Sequence, residues 1–523
     1  MRRLVLLFLL IPAILNGLLG QDIHAIQYQK IRPVLLGKEH NVILYLELEN
    51  KDAEKPFVLE EIYLSNSGTT APEKIQSMRI YYSKDTLLPA SQEQFSFTRS
   101  GKESMVFEGS LKLGKGKHYL WMSVALDNEY PLDGWLKYSC LSLGFDHEIL
   151  SDIKEKTPLQ RLSVGQLIRK QGQEGVDTYR IPGLATTKKG TLIAVYDTRR
   201  NSSTDLQEDV DVGMSRSMDG GKTWEPMKII MDMKRWGGKP EIENGIGDPS
   251  VLVDREKGVI WVAAIWAHGH PGKRNWWASK PGMEPTETSQ FVLVKSEDDG
   301  KSWSEPINIT SQIKDPSWYL LLQGPGKGIQ LKDGTLVFPA QFKNKDQIPH
   351  STLIYSKDHG KTWIIGTGAK SKTTESQIVE LSNGDLMLNM RDDRGRENPQ
   401  GGFRSVAITR DLGKSWEEHS SSGNALPEPV CMGSLISTTY KGEELLLFSN
   451  PAVSKGPRRR MTLKVSRDQG KSWPTKYHLL LNEDNSYGYS CLTMIDEETI
   501  GILYEGQKEM FFQRISLADL ISE

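Results

Sequence analysis

SMDGGKTW, running from Ser217 to Trp224, decides how this chain is read, because the chain writes it five times. SEDDGKSW begins at Ser296, SKDHGKTW at Ser356, TRDLGKSW at Thr409 and SRDQGKSW at Ser466. Each copy places a Gly two residues after an Asp and a Trp three residues after that Gly. The Asp carboxylate can accept backbone N–H groups across a tight turn. The Gly supplies a backbone conformation that side-chained residues avoid, and the Trp buries a large ring. Five copies of one box imply a shared structural task, a staple joining two strands, and not five catalytic centres.

A second repeat accompanies the first. GTLIAVYDTR starts at Gly190, GVIWVAAIW at Gly258, GTLVFPAQF at Gly334, GDLMLNMRD at Gly384 and GEELLLFSN at Gly442, and ETIGILYEG at Glu498 closes the series. Each is a turn feeding a short, almost wholly apolar strand, the pattern of a strand covered on both faces. Six such strands at intervals of 50 to 76 residues, each with turn signals around it, predict an all-β chain whose residues 156–523 form a six-bladed β-propeller. Unequal spacing then reflects loops of different length.

Residues 21–155 contain no box but alternate polar with apolar, as in NVILYLELEN and HYLWMSVAL, which predicts an N-terminal β-sandwich, carbohydrate-binding-like. Trp121 and Trp135 are its candidate surface aromatics for a glycan, with core packing as the equal alternative. The polar segment SDIKEKTPLQR reads as the linker. Residues 1–20 carry two arginines and then an apolar run from Leu4 to Leu15, too short to span a bilayer, so they read as a signal peptide cut near Gly20. With no lipobox cysteine nearby and no later apolar span, a secreted or periplasmic protein without a membrane span is expected.

The bulk numbers exclude less. A net charge of -2 over 523 residues argues against a nucleic-acid partner. Cys140, Cys431 and Cys491 show no metal-ligand spacing and no disulfide framework, although a Cys431–Cys491 bridge remains open. No metal and no cofactor is implied. Chemistry is better sought in residues that do not repeat: Arg180 in TYRIPGL; Asp197, Arg199, Arg200 and Asp205 in YDTRRNSSTDLQ; Glu375 and Arg391 around the fourth apolar strand; and Arg458, Arg459 and Arg460 beyond the fifth. Arginines converging from several repeats would make an anion pocket, since planar guanidinium forks suit a carboxylate.

YRIP, the S-x-D-x-G-x-[ST]-W boxes and the late GYSCLTMID together resemble the bacterial exo-sialidases, the Asp-box glycoside hydrolases of family 33, over residues 160–520. The signal peptide, sandwich and propeller in that order are similar to secreted sialidases of Bacteroidetes. The resemblance implies an arginine triad of Arg180, Arg391 and Arg458, with Arg459 and Arg460 as alternatives for the third member. It implies that Asp205, six residues after Arg199, is the acid/base, and that Asp248 in GIGDPSVL contacts the hydroxyl or N-acetyl side of the sugar. Tyr489 would be the nucleophile with Glu375 as its base, and Tyr487 is the rival tyrosine. The implied activity is retaining hydrolysis of terminal α-linked sialic acid from mucins, other glycoproteins, gangliosides and oligosaccharides, through a tyrosyl intermediate. A trans-sialidase and a non-catalytic sialoglycan-binding propeller are the alternatives. The segment from Ala267 to Met283, with Trp276 and Trp277, is a candidate rim for the aglycone.

Overall fold

The computed structural model describes residues 22–521 except 53, 87–92, 99–103, 147, 207 and 270–272. The signal-peptide reading of residues 1–20 lies outside the described residues, as does part of the Ala267–Met283 rim. The chain divides after Val164 into two units built mostly of strands.

The first unit holds two sheets. Six strands lie in the order Ile153–Glu155, Ile23–Tyr28, Asn41–Asn50, Gly116–Leu126, Ile75–Ser83, Glu93–Thr98. Four lie in the order Glu148–Leu150, Ser139–Phe145, Phe57–Ser65, Ser104–Leu113. Alternation works as the pattern predicts: Leu46 and Leu48 are buried while Glu47 and Glu49 between and beyond them are half-buried. The two candidate glycan aromatics are not on the surface. Trp121 is buried and stacks on Tyr45 at 4.5 Å, and Trp135 is buried beneath the Arg161 guanidinium at 4.1 Å. Both rings therefore serve packing, which removes them as surface platforms.

The second unit holds six larger sheets with a common antiparallel order. The first runs Thr178–Thr186, Leu192–Arg199, Val210–Ser217, Lys228–Met231, and the fourth runs Thr373–Glu380, Leu386–Asp392, Ser405–Thr409, Glu417–Glu418. The sixth comprises Ser490–Met494, Thr499–Glu505 and Met510–Ser516, and its outer strand, Leu162–Arg169, comes from before the first sheet. The apolar strands of the second repeat are the second strand of each sheet, so each is flanked on both sides. First strands touch in succession: Thr178–Thr186 lies against Ser490–Met494 and Ile246–Asp254, and Thr373–Glu380 lies against Ser434–Tyr440, which in turn lies against Ser490–Met494.

Every box turns the chain from the third strand to the fourth. In the first, Asp219 Oδ1 accepts from Ser217 Oγ at 2.8 Å and from Thr223 N at 2.9 Å, while Oδ2 accepts from Thr223 Oγ1 at 2.6 Å. Asp298, Asp358, Asp411 and Asp468 repeat these bonds in the other four. Two successive residues in each box are left-handed, for instance Leu412 at φ 57° and Gly413 at φ 80°. Four boxes thus force a non-glycine residue into a costly region, and the network of side-chain bonds holds it there. The glycine has a second reason: a Cβ on Gly221 would lie 2.2 Å from the Phe512 ring of the sixth sheet. Trp224 packs edge-on against that same ring at 5.1 Å, and Trp363 of the third sheet packs on Trp261 of the second at 6.3 Å. The staple therefore joins neighbouring sheets as well as neighbouring strands. Asp219→Ala should lower Tm by several degrees, as loss of a multiply bonded turn costs about 1–2 kcal/mol. Specific activity at low temperature should stay near wild type in parallel thermal and kinetic assays, and a folded but inactive variant would refute the structural role.

Candidate active site

Most of the residues singled out from the sequence gather at one end of these sheets. Three of them sit at breaks in the ladder of a first strand. Between Arg180 and Gly183 the register slips against Leu192–Arg199, and Ile181 takes φ 58°. Between Gly247 and Ser250 it slips again, with Asp248 at φ 56°. Between Thr373 and Ser376 the same slip carries Glu375. A proline follows in the first two, Pro182 and Pro249, which cannot donate to the ladder and so suits a bulge. Each bulge interrupts the ladder at or beside one functional side chain, Arg180, Asp248 or Glu375.

Arg180 is buried, and its Nε donates to Glu505 Oε1 at 3.0 Å and its Nη2 to Glu505 Oε2 at 3.4 Å. Its Nη1 lies 3.6 Å from Asp205 Oδ1, and its guanidinium sits 4.7 Å from the Tyr487 ring and 5.1 Å from the Tyr489 ring. In the sequence Glu505 stands out only as the end of an apolar strand. It is fully buried and also accepts from Ile181 N and Tyr489 N, both at 2.8 Å. One carboxylate thus pins the bulge, the arginine and the tyrosine backbone.

Arg199 is fully buried, paired with Asp197 through Nη2 at 2.8 Å and with Asp205 through Nη1 at 2.8 Å. Asp197 Oδ1 in turn accepts from Asp248 N at 2.8 Å and so fixes the second bulge. Burial disfavours ionisation of Asp205, but Arg199, Arg180 and Arg274 outweigh it and hold its carboxyl down at about 2. Asp248, with Arg199 Nη2 at 3.9 Å, goes the other way: burial and the neighbouring Asp197 push it well above the usual carboxylate range.

Across from these, Arg391 Nη1 donates to Glu375 Oε2 at 2.5 Å and to Tyr489 Oη at 3.1 Å, and Tyr489 Oη donates to Glu375 Oε1. Burial opposes the charge on Glu375, yet Arg391, the tyrosine hydroxyl and Arg458 keep it below its ordinary value. Burial and Glu375 push the Tyr489 phenol well above 10, against the pull of Arg391 and Arg458. Arg458 donates to Tyr487 O at 2.8 Å and Val430 O at 3.0 Å, and its guanidinium lies 5.6 Å from the Tyr489 ring. Arg459 and Arg460 are exposed, so only Arg458 of the tandem meets the cluster. Gly488 makes room for it, since a Cβ there would lie 3.0 Å from Arg458 Cδ.

Behind Arg391 a buried pair, Arg404 and Glu428 at 2.9 Å, ties the end of the fourth sheet to Cys431 O and Asp392 N. Sequence reading passed over both. Cys431 and Cys491 are buried free thiols, so the open bridge is not formed. Asp209, Asp211 and Glu241 gather carboxylate oxygens within 4.8 Å of one another, with Arg200 bonded to Asp211 at 2.9 Å as counter-charge. From the Ala267–Met283 rim, Arg274 reaches to 3.9 Å of Asp205 Oδ2, while Trp276 and Trp277 lie against the Lys343 ammonium, each at 5.0 Å.

Family models and known relatives match most of the chain. Residues 190–502 match the BNR repeat-like domain, and residues 21–147 match the N-terminal domain of BNR-repeat neuraminidase. The chain is 45% identical over 522 residues to a sialidase of Bacteroides fragilis, covering 94% of each chain. It is 31% identical over 359 residues to a sialidase of Micromonospora viridifaciens, covering 66% of this chain and 53% of that one. Among solved structures, the Hadza microbial sialidase Hz136 superposes with a TM-score of 0.87 at 42% identity, covering 95% of this chain and all of that one. An intramolecular trans-sialidase from Ruminococcus gnavus shares the fold at a TM-score of 0.55 and 19% identity, over 67% of this chain and 96% of that one.

Proposed function

The chain belongs to the BNR-repeat sialidases, and from that premise we propose that this exo-α-sialidase releases terminal sialic acid with retention, through a covalent bond to Tyr489. The observation that carries the mechanism is the Tyr489–Glu375–Arg391 contact, a phenol bonded to an ionised carboxylate that is itself held by a guanidinium. Sialic acid bears a carboxylate on its anomeric carbon, so a carboxylate nucleophile would be repelled and a neutral phenol is not. A phenol with a pKa of about 10 or more needs a base at the moment of attack, and Glu375, kept ionised, accepts its proton. Arg391 then stands 3.1 Å from the oxygen that gains charge and loses it again.

Arg180, Arg391 and Arg458 come from three different sheets and present forks for the substrate carboxylate. Asp205 protonates the leaving oxygen and later activates water. In the free site Arg180 and Arg199 hold Asp205 ionised. A substrate carboxylate bound on Arg180 offsets that positive charge and shields Asp205 from solvent, raising its pKa toward the acid role. Asp248, whose carboxyl is pushed up by burial and by Asp197, faces the hydroxyl or N-acetyl side of the sugar.

The six sheets are taken as blades of a propeller, a reading supported by the succession of contacts between their first strands. The first unit is taken as a β-sandwich, and residues 1–20 as a signal that directs the enzyme out of the cytoplasm to mucins, other glycoproteins and gangliosides. Treating the enzyme with a fluorinated sialosyl donor, followed by peptide mass spectrometry, should place a sialosyl adduct on Tyr489. An adduct on Tyr487, or turnover of the donor with no trapped species, would overturn the assignment.

A further inference from the structure

At the opposite end of the same first strands lies a cavity of about 270 Å³. Thr178–Thr186 enters the active site near its beginning, at Arg180, and reaches this cavity at its end, with Ala185 and Thr186. Likewise Ile246–Asp254 carries Asp248 at one end and Val253 at the other, and Thr373–Glu380 carries Glu375 at one end and Glu380 at the other. Five residues of strand separate the two sites, roughly 15 Å at ~3.3 Å per residue.

The charges around this cavity do not balance. Lys327 and Arg255 both line it, and Glu380 is the acid that lines it. Glu380 Oε2 is engaged by the backbone N–H of Lys332 at 2.9 Å. Among the described residues no carboxylate lies within ion-pairing distance of Lys327 or Arg255, although 25% of the chain is charged and most of its other site arginines are paired. Lys327 occupies the short strand Gly326–Lys327, which pairs in parallel with Ser250 and Val251 of the second sheet, so its backbone is held in place. Lys327 is half-buried while Arg255 is exposed, and partial burial of the Lys327 ammonium without a partner is costly and lowers its affinity for a proton. Such a group is stabilised when a counter-ion enters.

We propose that this cavity is a binding site for a small inorganic anion, with Lys327 and Arg255 as its counter-charges. The volume holds a halide or phosphate with accompanying water, beside the apolar side chains of Val253, Ile329, Val379 and Ile436. The anion there stabilises the packing of the first strands and takes no part in turnover.

Crystals of the full chain soaked in sodium bromide test this directly. An anomalous bromide peak within about 3.5 Å of Lys327 Nζ is expected, and it should be missing from Lys327→Met crystals. Bromide found only at Arg180, Arg391 and Arg458, or an unchanged peak in the variant, would overturn the proposal. In solution, phosphate added at constant ionic strength should raise the Tm of the wild type by about 2 °C or more beyond any rise in Lys327→Met. Equal responses in the two proteins would also overturn it. If Lys327→Met does not fold, Lys327→Gln serves in its place, and the wild-type bromide map stands by itself. The kcat/KM of the variant on a small sialoside should match wild type, which separates this site from the catalytic one.

Discussion

Tyr489→Phe is expected to lower kcat by roughly 10³-fold or more, the scale seen when a nucleophile that works as part of a unit is removed. The substitution deletes one oxygen. That oxygen donates to Glu375 and accepts from Arg391, so two polar groups lose a partner. Neither is left alone, because Glu375 and Arg391 retain each other at 2.5 Å. The ring keeps its apolar neighbours Ile181, Cys431 and Met432 and the guanidinium of Arg180 over its face. Fold and substrate binding should therefore survive, with Tm and KM changing little beside kcat. Residual turnover, proceeding without a covalent intermediate, should give the inverted anomer, which NMR of the first-formed product detects. A variant with normal kcat would show that Tyr489 is not the nucleophile.

How far this site was legible in the sequence depends on the reach of each interaction. The boxes were legible because every bond in them spans four residues or fewer. Their second function was not, since the contacts of Trp224 and Gly221 with Phe512 join residues almost 300 positions apart. Ile181-Pro182 and Asp248-Pro249 were visible as dipeptides, but nothing local announces that the residue before the proline is left-handed. For a β-branched residue such as Ile181 that conformation is strained, and only the tertiary bond from Ile181 N to Glu505 explains it. Choosing Arg458 over Arg459 and Arg460 needed side-chain direction, which rests on its bonds to Tyr487 O and Val430 O and on the clearance at Gly488. Trp121 and Trp135 show the converse: an alternating pattern tells which residues share a face, and leaves open what covers it.

Glu505 is the residue whose importance was least legible, and its replacement should cost the most stability. It closes an apolar strand, Thr499–Glu505, and lies 325 positions from Arg180. Its two oxygens accept four donors: Arg180 Nε, Arg180 Nη2, Ile181 N and Tyr489 N. Glu505→Gln keeps the shape and removes the charge. The new amide NH₂ would face backbone N–H or guanidinium donors, and the buried Arg180 would be left with Asp205 at 3.6 Å as its acid partner. Removing one partner of a buried pair costs about 3–5 kcal/mol, mostly from the charge left behind. A Tm lower by several degrees is the expected result. Activity should fall too, by roughly 10²-fold in kcat/KM, because a carboxylate clamp displaced by even 1 Å loses much of its effect. This loss should exceed that in Asp219→Ala even where both variants are fully folded, since Glu505 anchors both the arginine that receives the substrate carboxylate and the backbone of the attacking tyrosine. The comparison is made by measuring kcat/KM for both variants at a temperature well below either Tm. Equal activities there would reduce Glu505 to a packing residue, whereas a deficit confined to Glu505→Gln identifies it as the group that positions Arg180 and Tyr489 together.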